Sequence, residues 1–125
     1  MSAEPHRTAP DVTEPLLLEV NAAANTVALS LAIPHELMYF RGHFPTLAVL
    51  PGVVQLDWVI NYGRRYFNLG DVSARTLRIK FRRLIRPGDR LVLTLAYQPP
   101  RSQIEFSYAD SEGVLSSGRI GLELA

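Results

Sequence analysis

The chain has 125 residues, 47% of them hydrophobic, with a formal net charge of +1 and no cysteine. This is one domain's worth of polypeptide with enough apolar side chains to build a core, so a disordered chain is excluded. The charge balance singles out no partner. The lack of cysteine excludes disulfides, thiolate metal sites and a thiol nucleophile, and suits a reducing cytosol.

Residues 1–14 carry Pro5 and Pro10, with Pro15 just beyond, among small and charged residues. They read as a flexible tail without the apolar centre of a secretory signal, followed by a single domain over 15–125. No apolar run reaches the ~18 residues of a membrane-spanning helix, so no membrane insertion is expected. "LLLEV" (Leu16 to Val20) reads as a short strand. In "ANTVALSLAI", Val27, Leu29, Leu31 and Ile33 fall on one face and Ala28, Ser30 and Ala32 on the other, with a hairpin turn near Asn25. "PHELMYF" suits one helical turn.

Pro51 and Gly52 open a longer segment, proline being well placed where a helix starts. Val53, Val54, Leu56, Trp58, Val59, Ile60 and Tyr62 cover most of the circumference of a helix running to Phe67, which predicts a buried helix. "NLGD" ends it, with Gly70 expected as the left-handed cap. The period then switches to two. "TLRIKFRRL" places Leu77, Ile79 and Phe81 on one face, toward the helix, and Arg78, Lys80 and Arg82 together on the other. "RPGDR" is a turn, and "LVLTLAY", "SQIEFSYAD" and "GVLSSGRIGLEL" complete a meander, with turns at Pro99–Pro100 and Glu112–Gly113. Two strands, a helix and four strands predict an α+β domain, an antiparallel sheet wrapped around one long buried helix.

Two polar residues stand out in "FRGHFPTLAVLPGVVQLDW" (Phe40 to Trp58): His43 in a tight turn and Asp57 in an apolar run. Asp57, Asn61, Arg64 and Arg65 follow helical spacing and fit an ordinary solvated stripe, with Asp57 bonded to Asn61. His43 equally fits a turn residue bonded to its own backbone. Helix capping does not explain Asp57, which lies too far past Pro51. The other reading is an acid–base pair. Removing water from a β-hydroxyacyl thioester takes an α-proton, which a neutral imidazole can accept, and expels hydroxide, to which a carboxylic acid can supply a proton. The free N–H groups at a helix start after Pro51 suit the thioester oxygen as it gains charge. Spacing alone leaves both readings open.

His35 with Glu36 lacks a second histidine at helical spacing for a metal motif, and a zinc site would have to combine His35, His43 and Asp57. A Ser/His/Asp site lacks its strand–turn–helix elbow. Arg75, Arg78, Lys80, Arg82, Arg83, Arg86 and Arg90 are accompanied by only one acid, Asp89. Without interleaved aromatics for stacking on bases, this run reads as a solvated sheet face or a docking face for an acidic protein, not a nucleic-acid site.

The quoted segment resembles the signature of hot-dog-fold 3-hydroxyacyl-(acyl-carrier-protein) dehydratases, approximately G-H-F-P-G-x-P-x-M-P-G-x-x-x-x-E/D. This chain has Gly42, His43, Phe44 and Pro45, then Leu50, Pro51 and Gly52, with the acid at Asp57, fourteen residues after His43 as in the family. "KFRRLIRPGDRL" (Lys80 to Leu91) is similar to the family's F-R-x-P-x-x-P-G-D strand and turn. The resemblance implies the hot-dog fold and dehydration to a trans-2-enoyl thioester, in fatty-acid or aryl-polyene and polyketide-type biosynthesis. It implies His43 as the base and Asp57 as its partner, orienting or protonating the leaving hydroxyl. It makes the Gly52 N–H the donor to the thioester carbonyl and the Val49 carbonyl the group that sets the His43 tautomer. It further implies a cytoplasmic homodimer with sites shared between chains, or a higher oligomer or a heteromer with a related subunit. The partner is an acyl carrier protein, docked by Arg78, Lys80 and Arg82. No metal or redox cofactor is implied, since the phosphopantetheine arm belongs to the carrier.

Thr46 and Ala48 stand where the family carries glycine and proline, which predicts a different loop beside the base. Asp57 in place of glutamate resembles the bifunctional dehydratase–isomerase branch, and "PGVVQLDW" resembles the dehydratases of aryl-polyene pigment clusters. A hot-dog thioesterase and a non-catalytic acyl-carrier-binding subunit are the alternatives.

Overall fold

Alternating apolar residues on five strands all point to one concave face, and a single helix lies across it. The structure, a computed structural model, describes residues 11–41 and 48–124. The elements are β1 (Leu16–Ala22), β2 (Thr26–Ala32), a short 3-10 turn at Met38–Phe40, α1 (Gly52–Phe67), β3 (Val72–Phe81), β4 (Arg90–Gln98), β5 (Gln103–Asp110) and β6 (Gly113–Leu124). The six strands make one antiparallel sheet in the order β1-β2-β4-β5-β6-β3. Rows of inward residues cross it: Leu29 faces Leu93, which faces Tyr108, and Val27 faces Leu95, which faces Phe106. All six are buried, and Val54, Trp58, Val59 and Tyr62 of α1 complete the core over them.

This is the α+β arrangement expected, with four differences of detail. First, α1 is covered on one side only. Val53 is 66% exposed, and Asp57, Asn61 and Arg65 are exposed with it, because the sheet closes over a single face of the helix. Second, Asn68, not Gly70, takes the left-handed cap position at φ 53°, while Gly70 bends the following connection at φ 72°. Asparagine is among the few residues besides glycine that adopt this conformation. Arg64 then clasps the helix end to the next strand by donating to the Val72 carbonyl and to Asp71. Third, the Arg86–Asp89 turn is present, with Asp89 N–H donating to the Arg86 carbonyl at 3.1 Å, but it does not join neighbouring strands. β3 lies at the sheet edge beside β6, and β4 is inserted between β2 and β5. Leu77, Ile79 and Phe81 share the inner face with Ile120, Gly118 and Ser116, yet Leu77 and Phe81 stay about half exposed because the edge overhangs the helix.

Fourth, the tail expected over residues 1–14 is packed at its end. The Trp58 indole N–H donates to the Thr13 carbonyl at 3.0 Å, Met38 N–H to the Val12 carbonyl at 2.9 Å, and Arg41 pairs with Asp11 at 2.8 Å. A buried indole N–H needs an acceptor, and this segment supplies it. Residues 1–10 lie outside the described residues.

The edge strand sits unusually close to its neighbour at Gly118, where a Cβ would run into the Arg78 carbonyl oxygen. Gly118→Ala is therefore expected to push β3 off β6 and to cost ~1–3 kcal/mol, as overpacking does. Chemical denaturation with an unchanged m-value checks it; a midpoint equal to that of the parent protein would show that the strands separate freely.

Candidate active site at the helix start

The chain enters α1 through Leu50 and Pro51. Leu50 N–H donates to the Ile85 carbonyl at 2.8 Å, tying this entry to the segment after β3. Pro51 occupies the cap position in an extended conformation, and no side chain caps the helix. Val54 and Gln55 N–H both donate to the Pro51 carbonyl, at 3.1 and 3.2 Å. The N–H groups of Gly52 and Val53 precede any intrahelical acceptor and point out of the helix end. With no acidic residue in the first turn, that end keeps the partial positive charge of the helix.

A cavity of about 340 Å³ opens here, lined by Val49, Leu50, Pro51, Gly52, Gln55 and the segment from Phe81 to Ile85. The Phe81 ring lies over Gly52 so closely that a Cβ there would come within 2.6 Å of its Cζ. Arg83 holds the far wall in place. Its guanidinium donates to Asp110 at 2.6 and 3.1 Å and to the Gly113 carbonyl at 2.9 Å, across to the β5–β6 turn. The Arg83 hydrogen bond, seconded by the Glu112 N–H, holds the Asp110 carboxyl below the usual carboxylate range.

One lining residue, Gln55, is polar and buried, and it is held from behind by Ser116 and Tyr108. Gln55 Nε2 donates to the Leu50 carbonyl at 3.3 Å, and its Oε1 accepts from Ser116 Oγ at 2.7 Å. Tyr108 donates its hydroxyl to the Gln55 carbonyl at 2.6 Å. Burial, with a smaller contribution from Tyr62, pushes the Tyr108 phenol well above its ordinary range, so it remains a donor. These three residues were not among the expected site residues. The cue was present in "VVQLDW", where Gln55 is as unusual in an apolar run as Asp57. The two take opposite environments: Gln55 is buried, and Asp57 is exposed as in the solvated-stripe reading.

Of the expected site residues, Val49, Gly52 and Arg82 come together at the cavity. Asp57 does not. It lies five residues beyond Gly52, roughly 140° further round the axis at ~100° per residue, on the uncovered side of α1. His43 and Thr46 lie outside the described residues. Arg78, Lys80 and Arg82 do not form the expected single-faced triplet. β3 ends at Phe81, and the N–H groups of Arg82 and Arg83 both donate to the Leu115 carbonyl, at 2.8 and 3.0 Å, which breaks the alternation. Arg78 and Lys80 remain exposed on the outer face, where Arg78 stands opposite Arg119 of β6. Of the zinc alternative, His35 is exposed against Gly88, and among the described residues no three His, Cys, Asp or Glu side chains are grouped to hold a metal.

Residues 19–119 match the sequence profile of the ApeI-like family, described as ApeI dehydratase. A 3-hydroxyacyl-(acyl-carrier-protein) dehydratase FabZ of Desulfotalea psychrophila is 28% identical over 126 residues, covering 90% of this chain and 83% of that protein. Among solved structures, the dehydratase heterocomplex ApeI:P of Xenorhabdus doucetiae contains a chain that is 31% identical, with a TM-score of 0.80 over 87% of this chain and 97% of that one. An uncharacterized protein of Erwinia carotovora subsp. atroseptica is 35% identical, with a TM-score of 0.77 over 89% of this chain and 97% of the other. The span matched by the family profile holds the cavity, the helix start, Asp57 and the basic edge strand.

Proposed function

This chain belongs to the ApeI-like dehydratase family, and on that footing we propose that it removes water from 3-hydroxyacyl thioesters on an acyl carrier protein. The product is a trans-2-enoyl thioester for fatty-acid or aryl-polyene assembly in the cytoplasm. The observation that supports this most is the uncapped start of α1, whose Gly52 N–H borders a mainly apolar cavity large enough for an acyl chain. A thioester oxygen received there would be stabilised as the α-proton leaves. In this reading His43 takes the α-proton and Asp57 delivers a proton to the departing β-hydroxyl.

Asp57 turns away from its own cavity. That orientation supports the reading in which the acid serves a neighbouring chain and the working unit is a dimer with shared sites. The edge position of β3, with Leu77 and Phe81 half exposed, is the surface such a neighbour would cover. The heterocomplex formed by one relative favours a related subunit as a possible neighbour besides a second copy.

Mass spectrometry of carrier-bound 3-hydroxyacyl substrates after incubation with the purified chain tests the reaction. Loss of water with the thioester intact is the expected result. Release of free acid and thiol would make the protein a thioesterase. Thr46 and Ala48, in place of the usual glycine and proline beside the base, favour a second reading as a non-catalytic subunit, which would bind the carrier and leave the substrate unchanged.

The outer face adds a prediction about the carrier. Arg78 and Lys80 are joined by Arg119 across the strand pair, and with Glu105 on the far side of Arg119 the exposed face keeps a net positive charge. Such a rim mainly raises the association rate with an acidic partner, and salt weakens it. Arg78→Glu with Lys80→Glu is expected to raise the apparent KM for carrier-bound substrate about tenfold. Turnover of a short uncharged thioester should be unchanged. Equal losses on both substrates would indicate a folding defect, and no loss on either would leave the face merely solvated.

A further inference from the structure

Gln55 needs an explanation of its own. It is 4% exposed, in a helix turn that an apolar side chain would fill without the penalty of burying an amide. It is too far into the helix to cap it. Gln55 instead joins three elements: its side-chain Nε2 donates to the Leu50 carbonyl, its side-chain Oε1 accepts from Ser116 of β6, and its backbone carbonyl accepts from Tyr108 of β5. Leu50 is also anchored from the other side through its N–H to Ile85. The Leu50–Pro51 peptide unit is therefore held by the buried Gln55 amide, and the next unit, which carries the Gly52 N–H, is held through the Pro51 carbonyl by the Val54 and Gln55 N–H groups.

We infer that Gln55 is a positioning residue, which Ser116 and Tyr108 lock so that the Gly52 N–H is aimed at the substrate's thioester oxygen. This rests on the dehydratase reading above. A helix start set only by packing could rock against the sheet. A satisfied polar network in a low-dielectric wall restricts that motion, and small errors in aim are costly to catalysis. Ser116 is fully buried, so its hydroxyl serves no solvent contact that could otherwise account for it.

The test uses the full chain and three variants: Gln55→Met, Ser116→Ala and the double substitution. Methionine keeps the length and removes both amide bonds, while alanine at 116 leaves the Leu50 contact but frees the amide oxygen. Each single variant is expected to lower kcat ~10–100-fold at a nearly unchanged KM. The double variant should be no worse than Gln55→Met, since the pair acts as one unit. Ile104→Val, under Gly63 in the later part of α1, is the control. It should lower the melting temperature without changing kcat. Amide exchange at Leu50, Val54 and Gln55, whose N–H groups are hydrogen-bonded, should quicken in Ser116→Ala while exchange near Phe67 stays unchanged. Parental kcat in Gln55→Met, additive losses in the double variant, or a parallel loss of kcat in the control would each overturn the assignment. If the parent protein dehydrates no 3-hydroxyacyl thioester, it is the dehydratase reading that fails. The exchange measurement then decides alone, and unaltered exchange at Leu50, Val54 and Gln55 would overturn the positioning role.

Discussion

His43→Ala and Asp57→Asn are each expected to lower dehydration of carrier-bound 3-hydroxyacyl thioester ~10²–10⁴-fold, the usual worth of a positioned acid or base. The melting temperature should hardly move in Asp57→Asn. Asp57 is exposed and makes no hydrogen bond or ion pair among the described residues, so no folded contact there is lost. Near-parental turnover in either variant would remove that residue from the mechanism. The sharing of sites has its own readout. If Asp57 serves the neighbouring chain, a mixed dimer of the two inactive variants contains one intact His43 facing one intact Asp57. Subunit exchange between the inactive proteins should then restore roughly half of the parental activity per mixed dimer. Mixed dimers verified by mass spectrometry that stay inactive would place both groups in one chain's site or outside it altogether.

Gly52→Val is expected to reduce kcat/KM ~10²–10³-fold, comparable with loss of an oxyanion donor. Two effects combine at this position. A side chain would hinder the approach of the thioester oxygen to the N–H, and it would also strike the Phe81 ring. That ring is the mobile end of a half-exposed side chain, so it can swing aside at little cost to stability, and the most direct way aside is across the cavity mouth. Activity should therefore fall well before folding does, in contrast to Gly118→Ala, where the obstacle is backbone. Titrating acyl carrier binding alongside turnover separates the effects: the carrier should still dock while the acyl group fails to react. Parental activity in the purified variant would refute the assigned contact between Gly52 and the thioester.

The segments of this fold whose determinants are local were legible in the chain itself. Pro51 and Gly52 marked the start of α1 to within one residue, Pro51 proving to be the extended cap and not the first helical residue, because a ring that fixes φ and lacks an N–H suits only a few positions. The alternation in "TVALSLA" revealed which side chains face inward, because the strand period is set by backbone geometry alone. The motif "GHFP…LPG…D" carried the family, since it is a run of residue types at a spacing that the family shares.

Neighbour relations were not legible. A period of two tells a strand which face is buried and says nothing about which strand lies beside it. Only the tertiary structure placed β3 at the edge next to β6 and inserted β4 between β2 and β5, leaving Leu77 and Phe81 exposed although their pattern is that of core residues. The helix shows the same limit. Apolar residues almost all the way round predicted full burial, but one sheet can cover only one side, and that side selected Gln55 for the interior and left Asp57 in the open. The partners of Gln55 lie 53 and 61 residues away on β5 and β6. Such contacts exist only after the sheet has closed, because nothing in the local sequence around Gln55 brings Tyr108 and Ser116 to it.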